Sequence, residues 1–217
     1  MKQKALFITA AVILLAAFAV GAWIYKGGET GEPVQAADPV YSQLIRMHSP
    51  TLGKPDAKVQ LVEFIDPACE ACAGFYPLVK QIIAIDPDEI RLVMRYAPFH
   101  KGASAVVAVL EAAKKQDKFW PALEALLAAQ SDWTQHHTAQ VNRVWKHLEG
   151  LGLDLEQVRE DMGSPQIARA VAQDLADAKA LGVNKTPSFF VNGQPLTNFG
   201  YAPLKAMVEQ ALAASNP

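Results

Sequence analysis

The sequence predicts an α/β domain with a helical subdomain inserted into it, preceded by a single N-terminal transmembrane helix. Three observations carry this. The apolar run from Val59 to Ile65, an amphipathic stretch and a second apolar run from Ile90 to Tyr96 read as strand, helix and parallel strand. About ninety residues of mainly helical pattern then precede the next strand-like segment at Ser188, where a simple crossover needs a dozen or two. The chain also opens on 21 consecutive uncharged residues, Ala5 to Tyr25.

That opening stretch sets the expected compartment. At 1.5 Å per residue it reaches roughly 31 Å, the thickness of a bilayer's hydrocarbon core. Lys2 and Lys4 lie before it, and Trp23 and Tyr25 stand at its far end, where interfacial aromatics collect. The expectation is a lipid-embedded anchor over residues 1–25, single-pass, with the C-terminal domain on the periplasmic side of the cytoplasmic membrane. A cleaved signal, cut near Val34-Gln35-Ala36 to release a soluble periplasmic domain, is the competing reading. Residues 26–48 read as a linker: residues 26–39 hold Gly27, Gly28, Gly31 and Pro33 without apolar periodicity, and Tyr41 to His48 has weak helical character. Residues 49–217 suffice for one packed domain, with the helical insertion at about 101–181. A net charge of −2 without a basic stripe argues against nucleic acid as a partner.

Within the domain, Lys58 to Asp66 reads as a strand buried on both faces, because Leu61, Val62, Phe64 and Ile65 are nearly continuous in apolar residues. Pro67 ends it. Ala71 to Ile85 presents Phe75, Leu78, Val79, Ile82 and Ile83 on one helical face, with Pro77 inside. Pro87-Asp88 turns the chain into Ile90 to Tyr96. Helices are expected over Ser104 to Lys115, Phe119 to Gln130, Gln140 to Leu148, Asp154 to Met162 and Pro165 to Leu181. Ser188 to Val191 returns to strand, Asn192-Gly193 makes a two-residue hairpin turn, and a short edge strand follows near Gln194 to Leu196. Tyr201 to Ala214 closes the domain as a helix. Phe119, Trp120, Phe189 and Phe190 are expected in the core; Trp133, His136 and His137 receive no assignment.

The chemistry sits at the junction of the first strand and its helix. The only two cysteines form Cys69-Glu70-Ala71-Cys72. The unpaired N–H groups and positive dipole end of a helix favour the thiolate of a cysteine at its start. Cys72, one turn in, is close enough for a reversible disulfide. Cys69 is therefore the candidate nucleophile and Cys72 the resolving thiol in thiol–disulfide exchange. Half of a zinc site and an inert structural disulfide are the alternatives. The five histidines show no finger-like spacing to the pair, so no metal is assigned. Two cysteines and no spare thiol also fit an oxidising compartment.

Several motifs resemble the DsbA-like thioredoxin-fold proteins. They are Ser49-Pro50-Thr51-Leu52-Gly53 through Asp56-Ala57, Val62-Glu63-Phe64 before the cysteine pair, Lys118-Phe119-Trp120, and Gly182-Val183 followed by Thr186-Pro187-Ser188-Phe189-Phe190-Val191-Asn192-Gly193. The resemblance covers about residues 49–214. It implies a thioredoxin fold with a helical insertion and an exported thiol:disulfide oxidoreductase without a cofactor. It also implies protein thiols or disulfides as substrates and a membrane redox partner that recycles the site. Disulfide formation is the leading expectation. A reductase or isomerase of the same fold is the alternative, and a redox-inactive client- or metal-binding module is the alternative of another class.

The resemblance marks Pro187 as a cis-proline opposite Cys69, leaving Thr186 backbone groups to pair with a substrate strand. It marks Glu63 as an acid beneath the pair that takes up the Cys72 proton. The chain departs from its relatives at the dipeptide between the cysteines, Glu70-Ala71 in place of Pro-His. A carboxylate there raises a neighbouring thiol's pKa, which predicts a less acidic Cys69 and a weaker oxidant. His100, in Pro98-Phe99-His100, has two readings, a residue near the site and a surface or capping histidine, and the second is preferred.

Overall fold

The computed structural model describes residues 39–215. The anchor expected over residues 1–25, and the linker as far as residue 38, lie outside the described residues. Among the described residues no helix is long and apolar enough to cross a membrane.

The chain enters through a short helix, α1 (Pro39–Leu44), and a two-residue strand, β1 (Thr51–Leu52). Then come β2 (Val59–Ile65), α2 (Glu70–Ile83) and β3 (Ile90–Tyr96), the unit read from the sequence. Pro77 lies inside α2, which continues to Ile83. The helical stretch holds α3 (Ala103–Lys114), α4 (Phe119–Ala128), α5 (Gln130–Trp133), a small hairpin of β4 (Thr134–Gln135) and β5 (Thr138–Ala139), α6 (Leu155–Asp161) and α7 (Pro165–Ala180). The chain finishes with β6 (Ser188–Val191), β7 (Gln194–Pro195) and α8 (Tyr201–Ser215).

The main sheet has the order β1-β3-β2-β6-β7. Only β2 and β3 run parallel; the other pairs are antiparallel. β2 lies in the middle and is buried at every residue, which explains its continuous apolar sequence. Asn192 and Gly193 take φ of 45° and 85°, the doubly positive turn that Asn-Gly favours. β1 escaped the sequence reading because two residues carry no periodicity. It packs its exit so closely on β3 that a Cβ on Gly53, at φ +103°, would meet the Ile90 carbonyl oxygen at 2.5 Å.

The helix expected over Gln140 to Leu148 is absent. Two 3₁₀ turns, Val141–Arg143 and Trp145–His147, take its place. Before them the β4–β5 hairpin turns through His136 and His137, both at positive φ, and the Gln140 N–H bonds back to the Trp133 carbonyl at 2.8 Å. Val144 and Leu148 still fill the core, so the apolar spacing was real but served irregular backbone.

The two faces of the sheet are different environments. Alternation sends Leu61 and Ile65, Leu92 and Met94, and Phe189 and Val191 to the face covered by α2 and α8. Val62, Phe64, Val93 and Phe190 point the other way, against Leu44, Ala178 and Val183. That second face also buries charge. Arg95 is fully enclosed and donates from Nη2 to Asp174 Oδ1 and Asp177 Oδ2, each at 2.7 Å. Asp174 also accepts the Tyr96 N–H at 2.8 Å and pairs with His48 at 2.6 Å. Arg46 grips Asp177 with Nη2 at 2.6 Å and Nε at 2.8 Å. The cluster fastens the segment after α1 to β3 and α7.

Breaking a buried pair strands its other half in a low-dielectric interior. Asp174→Ala, which leaves Arg95 short of its carboxylate, is expected to cost about 3–5 kcal/mol in urea unfolding. An exposed control, Lys205→Ala in the Lys205–Glu209 pair, is expected to leave the urea midpoint nearly unchanged.

Candidate active site

β2 ends at Ile65, and Asp66-Pro67-Ala68 turns the chain into α2. The helix begins at Glu70, one residue before the sequence suggested, which makes Cys69 its N-cap at φ −81°, ψ 118°. Both cysteines are thiols. Cys69 keeps 8% of its surface exposed and Cys72 none. The pair thus divides into an accessible sulfur and a sealed one.

Their protonation divides in the same way. The Cys69 thiol is drawn down from 9.0 to about 5. The largest influence is the Cys72 thiol donating to its sulfur. Burial opposes the change, and the Thr186 side chain and the N–H groups of Cys72 and Ala71 add to it. In its thiol form Cys69 donates to the Thr186 carbonyl at 3.3 Å. Cys72 is pushed strongly up, by burial first, then by its bond to Cys69 and the proximity of Glu63. At neutral pH Cys69 is therefore a thiolate and Cys72 a thiol.

Glu63 lies on the α2-facing side of β2, between Met94 and Phe189 in register. It is fully buried, and neither carboxyl oxygen has a hydrogen-bond partner. Burial pushes it from 4.5 up to about 8, and the Cys69 charge adds to the rise. Glu63 is thus a protonated acid at pH 7, close enough to Cys72 to act on its pKa.

The structure brings Cys69, Cys72, Glu63 and Thr186 together. The Thr186–Pro187 bond is cis. Glu70 is exposed at the first turn of α2 and is not among the groups that set the Cys69 thiol; Ala71 is also exposed and acts through its N–H. The groups that act on the sulfur draw the Cys69 thiol down with Glu70 turned to solvent beside it.

Two further residues hold the turn. The buried Gln130 amide donates to the carbonyls of Pro67 at 2.7 Å and Cys69 at 2.9 Å. Asp66, fully buried, accepts the Ala68 N–H at 2.8 Å. An Asp before Pro at a strand end is a readable turn signal, whereas Gln130 carries none. His100, taken as a surface or capping residue, instead pairs with Asp66 at 2.7 Å.

A thiolate at a helix N-cap, a sealed partner thiol three residues on and a buried acid beneath them, on this sheet, define a thioredoxin-fold thiol:disulfide oxidoreductase. The chain belongs to the thioredoxin family, whose model matches residues 46–210. A thioredoxin-like oxidoreductase from Silicibacter pomeroyi is 30% identical and superposes with a TM-score of 0.68, covering 77% of this chain and 94% of that one. Oxidised BdbD from Bacillus subtilis is 25% identical, also with a TM-score of 0.68, covering 76% and 94%. Among curated proteins, the Na(+)/H(+) antiporter NhaA of Herminiimonas arsenicoxydans is 34% identical over 144 residues, 66% of this chain. The match takes up only 22% of that protein's length, so the likeness is to one part of a longer relative.

Two outcomes follow from the shifted groups. Alkylation of Cys69 in the reduced protein is expected to titrate with a midpoint near pH 5, with Cys72 unreactive. Glu63 ionises near 4.5 when unfolded and near 8 when folded, so the native chain loses stability as pH rises through that window. Glu63→Gln is expected to gain on the native chain by a few kcal/mol between pH 4 and pH 8, at about 1.4 kcal/mol per pKa unit. Urea unfolding at the two pH values measures it, and a constant difference would contradict the buried-acid assignment.

Proposed function

We propose that this chain forms disulfide bonds in exported proteins, as a membrane-anchored DsbA-like oxidoreductase on the periplasmic side. The observation that carries the direction is the Cys69 thiolate. The thiolate exists only in the reduced protein, so groups that stabilise it favour reduction of the Cys69–Cys72 disulfide and oxidation of the substrate. A Cys69 value of about 5 lies between the roughly 7 of thioredoxin and roughly 3.5 of DsbA.

The reaction runs in two exchanges. A substrate thiolate attacks Cys69 Sγ, and the Cys69–Cys72 bond breaks. Cys72 leaves with the electron pair and takes a proton from Glu63, which is protonated at neutral pH. A second substrate thiolate then attacks the substrate sulfur of the mixed disulfide, and Cys69 departs as a stable thiolate. The substrate is oxidised by two electrons and the pair is reduced by two. A membrane redox partner accepts those electrons, and Glu63 regains its proton as Cys72 is reoxidised.

Thr186 and Pro187 serve as the substrate-binding edge, supported by the Thr186 carbonyl lying 3.3 Å from Cys69 Sγ. Glu70 and Ala71 occupy the exposed positions beside the cysteine, where a substrate approaches. Residues 1–25 anchor the chain in the bilayer, the segment after them tethers it, and residues 49–217, with Leu44, Arg46 and His48 packed onto them, form the catalytic domain with its helical insertion at about 101–181. The antiporter named among the relatives lends this chain no transport activity.

The equilibrium constant of the full chain with glutathione tests the direction. The reduction potential is expected well above the roughly −270 mV of thioredoxin and toward the roughly −120 mV of DsbA. A value at or below thioredoxin's would assign the chain as a reductant.

A further inference from the structure

We propose that Asp66 and His100 act as a positioning pair for Cys69, holding the Asp66–Cys69 turn so that the sulfur stays aligned with the N–H groups of Ala71 and Cys72. The inference rests on Cys69 being the redox nucleophile.

Asp66 meets the active-site turn and the cysteine pair through its carbonyl, its N–H and Oδ1, and meets His100 through Oδ2. Its carbonyl accepts the Cys69 N–H at 3.0 Å. Its N–H acts on the Cys72 sulfur, and its Oδ1 accepts the Ala68 N–H at 2.8 Å. Oδ2 accepts the His100 N–H at 2.8 Å and contacts the ring at Nδ1, 2.7 Å away. A carboxylate oxygen only accepts, so Nδ1 carries the proton in that bond.

A fully buried carboxylate tolerates little loss of partners, and His100 supplies two of the three donor contacts on the side chain. His100 is itself set from outside. Its ring stacks on His137, with centroids 5.7 Å apart and planes at 23°. The hairpin carrying His137 is joined to the neighbouring strand segment by the Ala139 N–H to the Lys101 carbonyl, 2.8 Å. Gln130 holds the same turn through the Pro67 and Cys69 carbonyls.

Hydrogen bonds weaken steeply with misalignment, so a small swing of this turn costs Cys69 the main-chain donors that stabilise its thiolate. Neither Asp66 nor His100 touches the substrate or exchanges an electron. Their effect is read at the sulfur.

The test compares His100→Ala with His100→Asn in the full chain. Asparagine places an amide N–H close to the position of Nδ1 and keeps the bond to Asp66. Cys69 is titrated by thiolate absorbance in the reduced protein, and the glutathione equilibrium is measured beside it. His100→Ala is expected to raise the Cys69 midpoint by about one pKa unit and to shift the glutathione equilibrium about tenfold away from the reduced protein. His100→Asn is expected to keep both near the native values.

A merely structural histidine would lower thermal stability in His100→Ala and leave the midpoint and equilibrium unchanged; that result overturns the proposal. So does an asparagine variant that behaves like the alanine one. Should His100→Ala not fold, His100→Gln replaces it, since its longer side chain moves the donor away from Oδ2. If the native protein shows no low thiol midpoint, the assignment of Cys69 itself fails. A native midpoint that is low and insensitive to His100 overturns only the positioning role.

Discussion

The active site depends on one junction. β2 runs fully buried to Ile65, and the chain must reach the N-terminus of α2 within a few residues. That constraint places Cys69 at the N-cap, where helix N–H groups lack partners within the helix. It also places Cys72 one turn deeper, against the sheet, and leaves Glu63 on the strand below. The contrast in protonation between two cysteines three residues apart is thus a matter of depth. One sulfur meets donors at the surface, and the other meets apolar side chains and a buried acid.

The sheet keeps its two faces electrically apart. On the far face the charges balance: Arg95 and Arg46 meet Asp174 and Asp177 at hydrogen-bonding distance. That arrangement holds position and has no proton to spare. On the α2 face Glu63 has no cation and no hydrogen-bond donor. An acid so enclosed is costly to ionise, which keeps it protonated at neutral pH. The same strand pair therefore carries a charged fastening on one side and an enclosed neutral acid on the other.

The sequence was legible where the signal was local. Ile90–Tyr96 and Ser188–Val191 were bounded correctly because apolar runs and flanking turn residues are written in adjacent positions. The Asn192-Gly193 turn and the cysteine pair were legible for the same reason. What escaped was the work of distant partners. Arg95 lies 79 and 82 positions from its two aspartates, and Gln130 lies 61 from Cys69. Nothing in a charge or an amide announces such a partner. Gln140 to Leu148 misled differently, since Val144 and Leu148 are spaced as on a helix yet flank short 3₁₀ turns beside the hairpin.

The bond between Cys69 and Thr186 spans 117 positions. A chain made from its N-terminus presents both cysteines long before the segment that completes their surroundings. Until residues 130 and 186 arrive, neither the grip on the turn nor the contact at the sulfur exists. The half-made protein therefore lacks two of the supports that set Cys69 apart from an ordinary thiol, and its sulfur reaches its full reactivity only when the fold closes.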